Sequence, residues 1–310
     1  MRAAQFSRFG GPEVLEIVDL PDPHPGAGEI RIRVRAAGVN ASDWKRRQGL
    51  MDQELPQSLG YEAAGIVDEI GHDVSGIKVG DRVFGASPYG AAQAELAVLS
   101  YWAPIPNTLD YARSAAIPGA TETAARSLDQ LGVTAGSTVL INGASGSVGS
   151  AAVQLAVERG ARVIGTGSPG AHDALRALGA EPVAYGEGMP ERVRAVTPSG
   201  VDFALDIAGS GVLPELVTLA GAPERVITVA DFRGAQQTGV RFSRGDSGRA
   251  TYALAQAAHM AETGRFSIQV GQTFPLTEVA HAHRVGEAGT VRGKLVLLVG
   301  WPVFKGTLYG

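Results

Sequence analysis

The run VLINGASGSVG at residues 139–149 constrains this chain more than any other segment. Residues 139–142 read as a short buried strand, the turn that follows is rich in glycine, and helical spacing begins at Ser147. The glycines are Gly143, Gly146 and Gly149, in an Ala-x-Gly-x-x-Gly pattern with Ala144 in the leading small-residue position. A glycine at 146 lets backbone approach an anion, and a glycine at 149 lets the helix pack closely on its strand. The amides of Ser147 and Val148 lie at the helix start, where the helix dipole favours negative charge. The pattern predicts a dinucleotide-binding turn whose contacts are Gly143, Ser145, Gly146, Ser147, Val148 and Gly149. The alternative is a purely structural glycine turn. Against it stand the strand before, the helix after, and a second strand about 20 residues on.

The rest of the middle of the chain extends this unit. Strands are expected at 162–166, 182–185, 201–206 and 225–229, and helices at 147–158, 171–178 and 212–219. Strands and helices alternating at this length predict an α/β Rossmann fold, a doubly wound parallel sheet with helices on both faces. The first third differs. Strands are expected at 14–18, 29–36, 60–70 and 81–84, with Gly71, Gly76 and Gly80 in the turns, which suggests a small β-rich, barrel-like domain. Residues 112–132 have helical spacing, and the domain boundary is expected there. The late run GKLVLLV at 293–299 predicts a buried strand.

The end of the second Rossmann strand bears on the choice of dinucleotide. NAD-binding folds place Asp or Glu there, on the ribose 2′-hydroxyl. Here the segment is Ile164-Gly-Thr-Gly-Ser-Pro169, without an acid. Ser168 is suited to donate to a 2′-phosphate, and His172 and Arg176 follow one and two turns later. This favours NADPH. His172 and Arg176 read equally as a solvated helix face.

Composition excludes several classes. A chain of 310 residues suits two domains rather than one core. It has no cysteine, which removes disulfides, a thiol nucleophile and every thiolate zinc site. A net charge of −4 with no basic run argues against a nucleic-acid partner. No segment reaches the ~18 consecutive apolar residues of a membrane helix, and the first residues lack an apolar signal core. A cytoplasmic protein is expected. The six histidines form no ligand-like cluster, and His281 and His283 would point in different directions on a helix. No metal site is expected.

Several blocks in order carry a family resemblance: FGGPEVLEI, AGVNASDWKRRQG, GYEAAGIVDEIGHDVSGIKVGDRVFG, ETAARSLDQLGV, NGASGSVG and GTVRGKLVLLV. With them the chain resembles the zinc-free, quinone oxidoreductase-like branch of the medium-chain dehydrogenase/reductase superfamily. The resemblance implies a β-rich GroES-like catalytic domain from residues 1–116 and 277–310, and a Rossmann NADPH-binding domain at 117–276. It implies NADPH-dependent reduction of a quinone or an activated C=C bond (an enone), and a homodimer paired through a Rossmann edge strand, for which residues 239–243 are the candidate.

The zinc branch of that superfamily uses Cys and His where this chain has Asn40 and Tyr61, so the resemblance also implies a metal-free site. By position it places Asn40 beside the nicotinamide, Thr123 at its ribose or carboxamide, and Tyr185 near the 2′-phosphate. Asp206, Ala208, Val229, Ala230 and Asp231 would line the cofactor groove, and Lys294 would approach the cofactor. Asn40 and Tyr61 are the candidate hydrogen-bond donors to a developing oxyanion. Thr123 and Lys294 also read as ordinary helix and strand surface, and Tyr61 as a packed aromatic. Met51 stands near the place where many relatives carry a tyrosine, so a tyrosine proton donor there is not expected. Two rival readings stay open: an enoyl-thioester or specialised-pathway reductase on the same scaffold, and a cofactor-binding protein with little catalysis.

Overall fold

The computed structural model describes residues 1–87, 90–245 and 248–300. Two compact units result, one from Met1–Pro118 and the stretch from Gln269 onward, the other from Gly119–Ile268.

The first unit starts with β1 (Arg2–Phe6), which pairs antiparallel with β2 (Glu16–Asp19). Residues 14–18 are therefore not one strand. Pro12 opens a 3-10 turn, Pro12–Val14, and the Leu15 N–H closes it onto the Pro12 carbonyl, delaying the strand to Glu16. β3 (Ile30–Val39) is the central strand, followed by the short helix α1 (Ala41–Arg47) and by β4 (Gln57–Ser58), which pairs with β1. The buried and half-exposed residues alternate along the first half of β3, and its last four residues are all buried. Then come β5 (Glu62–Ile70), β6 (Arg82–Ala86), β7 (Leu96–Leu99), β8 (Tyr101–Pro104) and α2 (Tyr111–Ala115). α2 ends before Pro118, because the residue preceding a proline disfavours helical dihedrals, so the helical stretch expected at 112–132 is two helices.

The second unit contains α3 (Pro118–Leu131), apart from its first residue, then β9 (Thr138–Asn142), α4 (Ser147–Glu158), β10 (Arg162–Gly167), α5 (His172–Ala177) and β11 (Ala180–Ala184). It continues with α6 (Met189–Val196), β12 (Phe203–Asp206), α7 (Leu213–Ala220), β13 (Val226–Thr228), α8 (Phe232–Thr238), β14 (Arg241–Phe242) and α9 (Ala253–Glu262). The sheet order is β11-β10-β9-β12-β13-β14, and every pairing is parallel. This is the doubly wound order in which chain direction reverses beside the first strand. Ligands of such sheets bind at the carboxyl ends of the two strands that flank the reversal, here β9 and β12. Leu140, Ile164, Leu216 and Val226 are fully buried in its core.

The chain then returns to the first unit with β15 (Val270–Pro275), α10 (Val279–Ala288) and β16 (Lys294–Leu298). β16 pairs parallel with β15 and antiparallel with β3, giving the path β15-β16-β3-β5-β6-β8 with β7 also on β3. Phe6, Ile30, Ile32, Leu59, Leu99 and Leu297 form its buried centre. Burying one such side chain contributes about 1.5–3 kcal/mol, so each unit has its own apolar reason to stay folded.

Candidate functional site

The glycine turn of the second unit is shaped by contacts that only glycine permits. Gly143 has φ +84, and a Cβ there would lie 3.1 Å from the Ala208 Cβ. A Cβ on Gly149 would lie 2.1 Å from the Gly143 carbonyl oxygen, so the helix approaches the turn too closely for any side chain. Gly146 is different. A Cβ there meets nothing nearer than 3.6 Å, which leaves open space above exposed backbone. Gly146 is also the residue before α4, where no side chain caps the helix and no acidic residue occupies the first turn. The first amides of a helix have no intrahelical acceptor, so those of Ser147, Val148 and Gly149 suit an anion.

A chain of buried side chains ties together the strand ends around this turn. Thr166 Oγ1 donates to Asn142 Oδ1 at 2.7 Å and accepts from the Gly143 N–H at 3.0 Å. Asn142 Nδ2 donates to Asp206 Oδ1 at 2.9 Å, and Thr228 Oγ1 donates to Asp206 Oδ2 at 2.8 Å. The backbone amides of Ala208 and Gly209 also donate to Asp206 Oδ1, and those of Ala230 and Asp231 donate to Thr228 Oγ1. Asp206 thus holds the loop containing Ala208 from within, and Thr228 does the same for Val229, Ala230 and Asp231. The Asp231 side chain in turn caps α8 by accepting from the Gly234 N–H at 2.8 Å. Asn142, Thr166 and Thr228 carry no local signal of this role, since lone polar residues at strand ends look like ordinary turn residues.

On the neighbouring side, Gly167 pairs with Ala184, and the Tyr185 N–H donates to the Gly167 carbonyl at 3.4 Å. Ser168 and Tyr185 therefore follow adjacent positions of adjacent strands. Tyr185 is exposed. Ser168 has extended backbone, and its carbonyl accepts from the Ala171 N–H at 2.8 Å. Arg176 pairs with Asp173 at 2.7 Å on an exposed face. His172 Nε2 is buried without a hydrogen-bond partner. Arg192 on α6, absent from the sequence reading, donates to the carbonyls of Ala184, Tyr185 and Gly186 at 3.0–3.3 Å, which sets a cation beside Tyr185. Thr123 is half-buried on α3.

A second polar cluster lies in the first unit. β16 and β5 both run antiparallel to β3, so the start of β16, the end of β3 and the start of β5 meet at one end of the sheet. Lys294, Asn40 and Glu62 occupy those places. Lys294 Nζ donates to Asn40 Oδ1 at 2.5 Å and lies 2.5 Å from Glu62 Oε1. Asn40 Nδ2 donates to the same Glu62 oxygen at 2.8 Å. Glu62 and Lys294 are buried, and Asn40 is half-buried. Gly38 makes room, since a Cβ there would sit 2.3 Å from Glu62 Oε1. The Asn40 N–H donates to Asp43 Oδ2 at 2.8 Å, and Gln93 Nε2 donates to the same oxygen at 3.1 Å. Burial pushes Asp43 up to about 6, against the Asn40 amide and the Lys294 charge, which favour its ionised form. Tyr61 lies under the Arg46 guanidinium, 5.3 Å from the ring centre. Burial raises the Tyr61 hydroxyl above the ordinary tyrosine range, with Arg46 opposing.

His283 on α10 is fully buried edge-on to Trp44, and burial pushes it down to about 3, while His281 is exposed on the same helix. Among the described residues no group of His, Asp and Glu is arranged to hold a metal ion, and no helix is long and apolar enough to cross a membrane. The tail at 301–310 lies outside the described residues.

Comparison with known proteins agrees with this architecture. The alcohol dehydrogenase GroES-like domain family matches residues 26–101, and the zinc-binding dehydrogenase family matches residues 178–297. Quinone oxidoreductase of Homo sapiens is 32% identical over 330 residues, covering 96% of this chain and 98% of its own length. This chain belongs to the medium-chain dehydrogenase/reductase superfamily, in its quinone oxidoreductase-like branch. The resemblance and the fold class read from the sequence are borne out. As a medium-chain dehydrogenase/reductase the protein is an oxidoreductase of a superfamily that binds a nicotinamide cofactor. Among solved structures, the quinone oxidoreductase of Coxiella burnetii is similar with a TM-score of 0.82 at 30% identity, covering 97% of this chain and 99% of that one. A mycobacterial protein solved with NADPH has a TM-score of 0.79 at 29% identity, covering 96% of this chain and 100% of that one. Another relative is the spectinabilin polyketide synthase system protein NorB of Streptomyces orinoci, 34% identical over 93% of this chain. The chain spans 14% of that protein's length.

Proposed function

We propose that this medium-chain dehydrogenase/reductase uses NADPH to reduce a quinone or an activated C=C bond (an enone), without zinc. The observation that carries the reading is the Lys294 ammonium, 2.5 Å from both Asn40 Oδ1 and Glu62 Oε1. Asn40 and Tyr61 stand where the zinc branch has Cys and His. A cation is already built into the protein beside Asn40, and a divalent ion there would meet its charge at short range.

The glycine turn fits a dinucleotide on its own geometry, through the open space above Gly146 and the uncapped start of α4. Ser145, Gly146, Ser147, Val148 and Gly149 would hold the pyrophosphate. Ser168, in a strand end whose sequence 164–169 holds no acid, would take the 2′-phosphate, with Tyr185, His172 and Arg176 around it. The solved NADPH complex of a relative supports this choice. Ala208, Val229, Ala230 and Asp231 would line the groove, oriented from behind by Asp206 and Thr228, and Thr123 would reach the nicotinamide side. On this reading residues 1–116 and 277–310 serve catalysis, and residues 117–276 serve cofactor binding.

When bound, the nicotinamide supplies a hydride for an electron-poor carbon. Negative charge then grows on the substrate oxygen. Asn40 Nδ2 keeps a second hydrogen to donate there, and Lys294 beside it favours the anion. Tyr61, held protonated, is a donor rather than a base. The proton comes from water. A homodimer would pair through β14, one of the two edge strands of the parallel sheet. A cysteine-free chain fits a reducing cytoplasm.

The similarity to a polyketide synthase protein favours a second reading, reduction of an enoyl thioester on the same scaffold. Steady-state assays with NADPH against quinones, enones and enoyl thioesters decide between them. The first reading predicts the highest kcat/KM on a quinone or enone. Turnover confined to thioesters, or no turnover at all, contradicts it.

A further inference from the structure

We infer that Glu62 and Lys294 act together as positioning residues that fix which way the Asn40 carboxamide faces. The inference rests on the reading of Asn40 as the donor to the substrate oxygen. The two ends of a carboxamide have nearly the same shape, so packing alone does not choose between them. Charge does. Lys294 can only donate, and it meets Oδ1 at 2.5 Å. An ionised Glu62 can only accept, and it receives Nδ2 at 2.8 Å. A flipped amide would set its N–H groups against the ammonium and its oxygen against the carboxylate.

The pair is itself matched. Lys294 lies 2.5 Å from Glu62 Oε1, and the two side chains are only 4% and 0% exposed. Low local polarity strengthens such contacts and makes the reversed arrangement costly. The backbone completes the fixation, since the Asn40 N–H is tied to Asp43 Oδ2. β5 and β16 contribute one residue each and the turn from β3 into α1 contributes Asn40, so the orientation follows from the sheet register. The outcome is an Nδ2 with one hydrogen committed to Glu62 and the other kept on a half-exposed side chain. Glu62 touches neither cofactor nor substrate in this role. It acts through Asn40.

The test uses the full chain with its asparagines labelled with nitrogen-15. The Asn40 side-chain signal is assigned by its absence in Asn40→Asp. In the wild type without cofactor, one of its two Nδ2 protons exchanges with water much more slowly than the other. Two fast, equal rates overturn the inference without need of any variant. The double substitution Glu62→Leu with Lys294→Met removes both charges and the acceptor of Asn40 Nδ2, so neither charge is left buried alone. It should abolish the difference in exchange and lower kcat on the order of 10²-fold, the usual effect of losing one oxyanion donor. Retained exchange difference or wild-type kcat in the folded double variant overturns it. Failure of wild-type protein to bind NADPH would sink the proposed function instead, and the exchange rates would still decide this inference.

Discussion

Asn142 Nδ2 donates to Asp206 Oδ1 at 2.9 Å, and both side chains are buried at the carboxyl ends of adjacent parallel strands. The bond spans the place where the sheet order reverses. With Thr166 on one side and Thr228 on the other it makes a continuous line across β10, β9, β12 and β13. Asp206→Ala would strand two side-chain donors and two backbone amides at once. At roughly 1–3 kcal/mol for a buried group left unsatisfied, the variant should lose about 3 kcal/mol or more in urea unfolding. A loss under about 0.5 kcal/mol, the range of an ordinary surface substitution, would show that water replaces the carboxylate there.

The cofactor's 2′-position is probed by Ser168→Glu. A carboxylate at that strand end repels a 2′-phosphate and accepts from a ribose hydroxyl. Calorimetry should find NADPH affinity down on the order of tenfold or more, with NADH affinity held or improved. Equal weakening of both would move Ser168 away from the ribose.

Asp43 and His283 impose opposite pH dependences on stability. Asp43 is raised from 3.8 to about 6 in the folded protein. Its folded form therefore holds a proton that the unfolded chain releases, and this stabilisation is present at low pH and lost as pH rises from about 4 to 6. His283 is lowered from 6.5 to about 3. Its stabilisation is present above pH 6.5 and lost as pH falls. Each gives a slope of about 1.4 kcal/mol per pH unit, with opposite signs between pH 4 and 6. Asp43→Asn should therefore lose stability faster than wild type on acidification over that range, and His283→Leu should lose it more slowly. Urea unfolding at stepped pH reads both differences. Parallel curves for all three proteins would refute the assignment.

The buried Arg47 is paired with Glu287 and donates to the Gly10 carbonyl at 2.5 Å. Glu287→Leu would leave a guanidinium inside the first unit without its counter-charge. A loss of about 3–5 kcal/mol is expected in thermal or urea unfolding. Near-neutral behaviour would mean that the guanidinium reaches water when its partner goes.

The parts legible in the sequence were those with local periodicity. Helix α4 begins and ends at the expected residues, Ser147 and Glu158, because a glycine turn marks its start and apolar spacing its length. The strands flanking it were legible for the same reason. β1, β7 and β15 gave no comparable signal, since Arg2–Phe6 and Leu96–Leu99 are short and Val270–Pro275 is mostly exposed, with Phe274 its one buried residue. The Asn40 cluster was half legible. Asn40 and Lys294 came from the family resemblance, but Glu62 did not, although it stands beside Tyr61. What joins these residues is the antiparallel register of β16, β3 and β5, and contacts across 22 and 254 residues leave no local trace. Arg192 was missed because its partners are backbone carbonyls, which any sequence offers everywhere.

The most direct test of the account is the glycine turn itself. Gly146→Ala adds a methyl group where nothing in the protein lies within 3.6 Å, so its thermal stability should match the wild type closely. The same methyl stands in the space proposed for the pyrophosphate, so calorimetric titration with NADPH should show binding weakened on the order of tenfold or more. Wild-type affinity in a normally folded Gly146→Ala protein, or no heat of NADPH binding to the wild type, would contradict the account.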